Sequence, residues 1–596
     1  MKKIYKVLII GSGAAAYSCA DWLYKEGIED IAVVTENRLS GTSRNTGSDK
    51  QTYYKLSMDG FTADSPYKMA SDMFAGGSCD GEKMYLEAVN SQRCFLRLCE
   101  YGVNFPVDEF GGYPGYKTDH DDTVRATSVG PLTSKLMTEK LEKVVLYNNG
   151  TTLFDNKLVI KILTYDNKAY GVKVLDRHTG SEENIFAENV ICAAGAPACI
   201  YEDSVYPLSQ HGMTGVLIDS GVRLCNFTQW QYGMASVDFR WNVSGSYMQV
   251  IPRFVSVDEN GEEFEFLKYY FDNIYDAYNF VFLKGYQWPF SYSRANESSQ
   301  IDFAVHNEML KGRKVYLDYR KNPKDFSVDR LSAEAKEYLT STESIADTPI
   351  ERLVKLNSKA IDVYLRQGID LSTDMLQIAV CAQHNNGGVY TDNNFQSDVD
   401  GLYVIGEASG TFGLARPGGS ALNDTQVSGL ICAKHIKNRI NEALDENIIN
   451  SFGITDTSEF ITDASISYYH FKKKMSQVAS FKRDYEGCLC LLNEINDVLS
   501  SYPFRHVSLY DYYRDKDMLV SMKALLEAIV SELPETGSRG GAVFIKDGVM
   551  SDENLYYRDY MTVTCNGKTE YIKVSAVPFK QKPFELYLNK TDESNM

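Results

Sequence analysis

The feature that most constrains this chain is a short apolar run ending in a glycine turn. Lys6-Val7-Leu8-Ile9-Ile10 is continuously apolar after its lysine, as a strand buried on both faces of a parallel sheet must be. Gly11-Ser12-Gly13-Ala14-Ala15-Ala16 follows at once with the spacing G-x-G-x-x-A. Gly11 permits the tight turn, and Gly13 lets the backbone approach a pyrophosphate. Ala16 lets the next helix lie against the strand with its positive end toward the phosphates. The spacing predicts a helix over 15–24, a stop at Gly27 and a second strand at 31–34. Glu36 stands 20 residues beyond Ala16, where a carboxylate accepts from ribose hydroxyls and repels the 2'-phosphate of NADP. At this point the residues call for a dinucleotide, FAD or NAD.

At 596 residues and 67.1 kDa the chain exceeds one compact core, so two or three domains are expected. A formal net charge of -19 and a pI near 5.0 leave no basic surface for phosphate backbones, which excludes nucleic acid and anionic membranes as expected partners. No stretch approaches the roughly 20 apolar residues of a membrane helix. The N-terminus reads as a strand rather than an export segment, and the expected location is the cytoplasm. The 12 cysteines form no Cys-x-x-Cys pair and no cluster at zinc or iron–sulfur spacing, so no metal centre is expected.

Far downstream a second strand meets a glycine-rich stretch. It runs through Gly401-Leu402-Tyr403-Val404-Ile405-Gly406-Glu407 and then Gly413-Leu414-Ala415-Arg416-Pro417-Gly418-Gly419-Ser420-Ala421-Leu422-Asn423. Here the chain resembles the flavoprotein family of succinate dehydrogenase, fumarate reductase and L-aspartate oxidase. Further segments fit in family order: Ser43-Arg44-Asn45-Thr46-Gly47, Val190 to Gly195, Ser293-Arg294, His384 to Asp392, Gly537 to Gly541 and Glu570 to Val574. The resemblance implies FAD rather than NAD. It places Gly11, Gly13, Ala14, Ala15, Glu36, Ser43, Asn45, Thr46, Gly47, Gly195, Gly406, Glu407, Arg416, Gly419, Ser420, Ala421 and Leu422 against the cofactor. Asn45 stands where covalent members of the family carry a histidine, which implies noncovalent FAD.

The expected fold is α/β. A Rossmann-like FAD-binding domain, 1–235 and 352–450, is split by an α+β capping domain at 236–351 that is rich in aromatics such as Tyr269-Tyr270-Phe271 and Tyr286-Gln287-Trp288. A C-terminal helical domain with a short β tail, 460–596, follows. Its helices are predicted around Cys490 to Ile495 and Met518 to Leu526, and its end, Lys590 to Met596, reads as frayed.

Reduction of an activated double bond needs its electron-withdrawing group clamped and a proton delivered to the opposite carbon. By resemblance Arg294 is the proton donor, and His384 and Arg416 bind a carboxylate. Two departures stand beside these. Where dicarboxylate enzymes of the family carry His-Pro-Thr-Gly, this chain has Gln229-Trp230-Gln231-Tyr232-Gly233, so Gln231 replaces an imidazole with a neutral amide. The Thr-Glu-x-x-Arg segment becomes Gln249-Val250-Ile251-Pro252-Arg253, which keeps Arg253 and loses the glutamate. The expectation is a substrate charged at one end and polar or aromatic at the other: an α,β-unsaturated carboxylate other than fumarate, reduced from flavin N5 with electrons from a separate donor protein or reduced flavin. The alternatives are an oxidase of the aspartate oxidase kind and a flavin-binding subunit without catalysis.

Overall fold

The computed structural model describes residues 3–118, 121–439, 443–453, 467–501 and 506–578. Ile4–Ile10 lies in the middle of a parallel sheet, with Ile31–Val34 on one side and the second half of Glu182–Cys192 on the other. Thr152–Phe154 extends one edge in parallel, and Leu402–Val404 joins Val190 to Cys192 in parallel at the other. Val7, Leu8 and Ile9 are fully buried, which is why the run does not alternate with polar residues. Two antiparallel strands, Lys157–Tyr165 and Lys168–Asp176, attach to the first half of Glu182–Cys192 and complete the seven strands. The helix after the glycine turn is Ala14–Lys25, one residue longer at each end than the spacing predicts. Its Ala16, Ala20 and Leu23 share a buried cluster with Val427, Leu430 and Ala433 of the helix Ser420–Asn438.

A second, antiparallel sheet runs in the order Trp241–Asn242, Trp230–Ser236, Leu376–Asn385, Lys314–Asp318, Arg253–Val257, Glu263–Phe264. Its register sets Gln231 directly opposite His384, beside an irregularity between Gln231 and Tyr232. Most of the aromatic rings between 236 and 351 fill the core under this sheet. Phe266, Tyr275, Tyr278, Phe282 and Phe290 are buried in the cluster that also holds Trp230, Tyr232 and Leu376, whereas Tyr269 faces solvent.

The C-terminal region forms the helices Tyr469–Val478, Tyr485–Ser500 and Leu509–Thr536. The last buries Met518, Leu519, Met522, Leu525 and Leu526 in the main core, and Gly537 follows it. The β tail, Tyr560–Cys565 and Lys568–Lys573, pairs with Leu224–Cys225. Residues 460–466 and the predicted frayed end Lys590 to Met596 lie outside the described residues. Among the described residues no helix is long and apolar enough to cross a membrane.

Removing buried methyl groups from the central strand is costly, because rigid neighbours leave a cavity. Leu8→Ala is expected to lower stability by about 2–5 kcal/mol in denaturant unfolding. Phe61→Ser, at a ring that is 86% exposed, is expected to stay within about 0.5 kcal/mol of wild type.

Candidate active site

One cavity of about 1430 Å³ is lined by the Gly11–Ala15 turn and by residues of the 236–351 segment. Of the predicted cofactor residues, Gly11, Gly13, Ala14, Ala15, Glu36, Ser43, Thr46, Gly47, Gly195, Glu407, Arg416, Gly419, Ala421 and Leu422 line it. Three do not. Asn45 is exposed, and its Nδ2 donates to Leu39 O at 3.1 Å and Gly41 O at 2.9 Å, so the amide closes its own short helix instead of facing the cavity. Ser420 turns its hydroxyl to Pro417 O at 2.8 Å. Gly406 donates its N–H to Ser428 Oγ at 3.2 Å, and the neighbouring Glu407 reaches the cavity instead.

The lining fits a dinucleotide. Gly13 caps the helix Ala14–Lys25 without a side chain of its own, Ala14 N donates to Ser43 Oγ at 3.1 Å, and this positive helix start lines the cavity. Gly11 has φ +112°, and a Cβ there would stand 2.6 Å from Ala193 O, so only glycine allows the first strand and Glu182–Cys192 to end this close together. A second helix opens on the same cavity. Gly419, left-handed at φ +90°, precedes Ser420–Asn438, and a Cβ there would meet Thr52 Cγ2 at 2.6 Å. Two positive helix ends therefore flank the space where a pyrophosphate and a flavin ring system would lie.

The groups expected to do chemistry divide sharply. His384, at the end of Leu376–Asn385, and Arg416 are both buried and line the cavity, with Arg416 Nε 3.3 Å from His384 Nδ1. Asn386 Oδ1 lies 3.0 Å from the same nitrogen, while His384 Nε2 has no hydrogen-bond partner among the described residues. Burial, reinforced by the Arg416 charge, pushes this imidazole well below its ordinary range and keeps it neutral. Arg294 closes the turn Tyr292–Arg294, which Gly540 O anchors by accepting from Tyr292 N at 2.9 Å. It lines the cavity with a buried Nη1 that has no partner among the described residues.

Gln231 is buried opposite His384, with Oε1 unpartnered among the described residues, but it is not part of the lining. Arg253 is elsewhere: its guanidinium binds Asp318 at 2.6 Å, Glu263 at 2.9 Å and Glu265 at 3.3 Å, so it has no reach into the cavity. Those carboxylates come from Lys314–Asp318 and from the chain just after Arg253's own strand, a pairing that no motif announces.

Several lining residues escape sequence reasoning. Tyr206 donates to Glu407 Oε1, which also accepts from Asn385 N at 3.0 Å. Tyr338 Oη donates to Gln249 Oε1 at 2.9 Å, and Asn242 donates to Gln383. Tyr206, Asn242 and Tyr338 lie in no recognisable spacing, whereas Gln249 falls in the segment set against Thr-Glu-x-x-Arg and Gln383 adjoins His384.

Burial pushes the Glu407 carboxyl in this wall up to about 7. The folded protein then holds a proton that the unfolded chain has released, so the stability this group contributes is complete below its ordinary carboxylate value near 4.5 and is lost as pH rises through about 7. In the cofactor-free protein the loss amounts to about 3 kcal/mol at most. Glu407→Gln is expected to flatten the fall in melting temperature between pH 5 and 8, as read by thermal unfolding (about one carboxyl's worth of linkage).

The sequence matches the FAD binding domain family over residues 6–422. It is 23% identical to an uncharacterized FAD-dependent oxidoreductase of Methanocaldococcus jannaschii, over 92% of this chain and 98% of that protein. It is 22% identical to the L-aspartate oxidase of Vibrio cholerae, over 88% of this chain and 91% of that enzyme. A quinol-fumarate reductase structure containing menaquinol molecules superposes with a TM-score of 0.72 at 15% identity, covering 97% of this chain and 100% of that one. The chain has the mixed α/β fold of the fumarate reductase flavoproteins, its cofactor is FAD, and it belongs to the FAD binding domain family of flavin-dependent oxidoreductases.

Proposed function

We propose that this enzyme reduces an α,β-unsaturated carboxylate other than fumarate, with electrons from a separate donor protein or reduced flavin. One observation carries the reading: the lining is asymmetric. Arg416, His384 and Arg294 supply positive charge and a neutral imidazole, whereas the 236–351 segment, apart from Arg294 and Glu334, contributes only uncharged groups such as Gln249, Phe282, Tyr286, Trp288 and Tyr338. A carboxylate finds partners among the first set, and an amide or ring finds them in the second. Against the 236–351 groups other than Arg294, the far end of a substrate would meet amides, hydroxyls and rings, which supports a substrate other than fumarate.

Bound FAD supplies hydride transfer at N5. Arg416 and His384 clamp the substrate carboxylate and stabilise the negative charge that grows on it as the double bond is polarised. Arg294, through the buried Nη1, gives a proton to the carbon beside the one that accepts hydride. The rings of Phe282, Trp288 and Tyr338 keep water from that proton transfer. Noncovalent attachment is supported by the loop 40–52, which contains no histidine in any register. Glu36 would hold the adenosine ribose, and the two helix N-termini would hold the pyrophosphate and the flavin. The division into a split nucleotide unit and a cap at 236–351 is supported by the cap residues that line this cavity.

The likeness to L-aspartate oxidase favours a second reading, oxidation of an amino acid or dicarboxylate with oxygen or fumarate as acceptor. Anaerobic reduction of the bound flavin, followed by a screen of unsaturated acids, separates the two. Reoxidation by an aryl- or amide-substituted enoate and not by fumarate is expected, while reoxidation by oxygen alone would favour the oxidase. Arg294→Ala is expected to lower turnover about 10²–10⁴-fold with flavin still bound. Unchanged turnover would remove Arg294 from the donor role.

A further inference from the structure

The carboxylate of Glu36 is held from a part of the chain that the nucleotide motif does not include. Tyr510 Oη donates to Glu36 Oε1 at 2.6 Å, and Arg514 Nη2 donates to Oε2. Both donors belong to the helix Leu509–Thr536, and Tyr510 is 474 residues from Glu36 in sequence. Arg177 flanks the group: its Nη1 donates to Glu36 O at 3.2 Å, and its guanidinium lies 5.2 Å from the Tyr510 ring. Arg514 is buried and fixed in turn by Asp517 at 3.9 Å, while Asp517 Oδ1 accepts from Val216 N at 3.1 Å. The same C-terminal region touches a second lining residue, His211, whose Nε2 lies 3.2 Å from Tyr468 Oη.

An ionised carboxylate offers about four lone-pair sites. Tyr510 and Arg514 occupy one on each oxygen, Arg177 Nε stands 3.8 Å from Oε1, beyond hydrogen-bond distance, and one site on each oxygen is left for a further donor. That remainder matches a vicinal pair of ribose hydroxyls. We propose that Arg514 and Tyr510 are positioning residues for FAD, holding Glu36 so that its remaining lone pairs meet the adenosine ribose, and that the C-terminal helical segment is thereby part of the cofactor site. Charge supports the geometry. Burial alone would push Glu36 up, and Arg514 with Tyr510 outweighs it, holding the carboxyl below its usual range as an acceptor. The proposal rests on the reading that the adenosine ribose lies at Glu36.

The test compares FAD with FMN, which lacks the adenosine. Cofactor-free Arg514→Gln, Tyr510→Phe and Glu36→Gln proteins are titrated with each flavin, and dissociation constants are read from fluorescence. FAD binding is expected to weaken about tenfold or more in Arg514→Gln and Glu36→Gln, and less in Tyr510→Phe. FMN binding should stay at the wild-type value, and Arg514→Gln should add little on top of Glu36→Gln. Tyr510→Phe removes one hydroxyl and keeps the ring, so it carries the comparison if Arg514→Gln fails to fold. FAD affinity within about twofold of wild type in both helix variants, while Glu36→Gln weakens it, would overturn the proposal. A parallel loss of FMN affinity in Tyr510→Phe would overturn it too, by exposing a general disturbance. Unchanged FAD affinity in Glu36→Gln would instead remove the ribose placement on which it rests.

Discussion

Leu402–Val404 lies parallel to Val190 to Cys192, and the shape of the cavity depends on that pairing. It sets the end of a late strand beside the first strand's glycine turn, so Ala14–Lys25 and Ser420–Asn438 open on one space. Each helix start carries roughly half a positive charge, and their convergence suits a cofactor with a pyrophosphate. Closing so long a loop is affordable because the entropic cost grows only with the logarithm of its length. Burial of Leu402 and Val404 beside Val190 and Cys192 offsets it.

His384 is placed in the lining by a different register. Gln231 stands opposite His384 because Trp230–Ser236 and Leu376–Asn385 are antiparallel neighbours. The C-terminal tail closes on the same strand: a Cβ at Gly541 would stand 2.1 Å from Trp230 O, and Gly540 O anchors the turn that presents Arg294. Glu36 and the turn that presents Arg294 are thus each braced by residues beyond 500, through Arg514 and Gly540.

Local chemistry was legible in the residues. The glycine turn, the helix after it, the strand at 31–34 and the acidic Glu36 form a pattern whose meaning is contained within about forty positions. Arg416, between glycines and a proline, likewise announced a loop at a helix start. Orientation was not legible. Asn45 sits one residue from lining positions and yet faces solvent, because a four-residue helix turns it outward. Arg253 looked like a site arginine and proved to be an ion-pair hub, because the strand carrying Asp318 runs beside it. The aromatic runs of 236–351 divided between core and cavity on a criterion, burial against this particular sheet, that composition does not carry.

By itself the sequence determined that a dinucleotide is cradled, because a tight turn, close backbone approach and a helix dipole are properties of consecutive residues. It also shows no histidine in 40–52, an amide at Gln231, and Val250 in the place that the resemblance gives to a glutamate. Only the tertiary structure decided which charged groups share the cavity. It brought Arg294, His384 and Arg416 together, sent Arg253 to three carboxylates, and set Arg514 behind Glu36. The physical reason is that a charge in a folded protein is defined by its neighbours in space, and strand register and helix docking choose them across hundreds of residues.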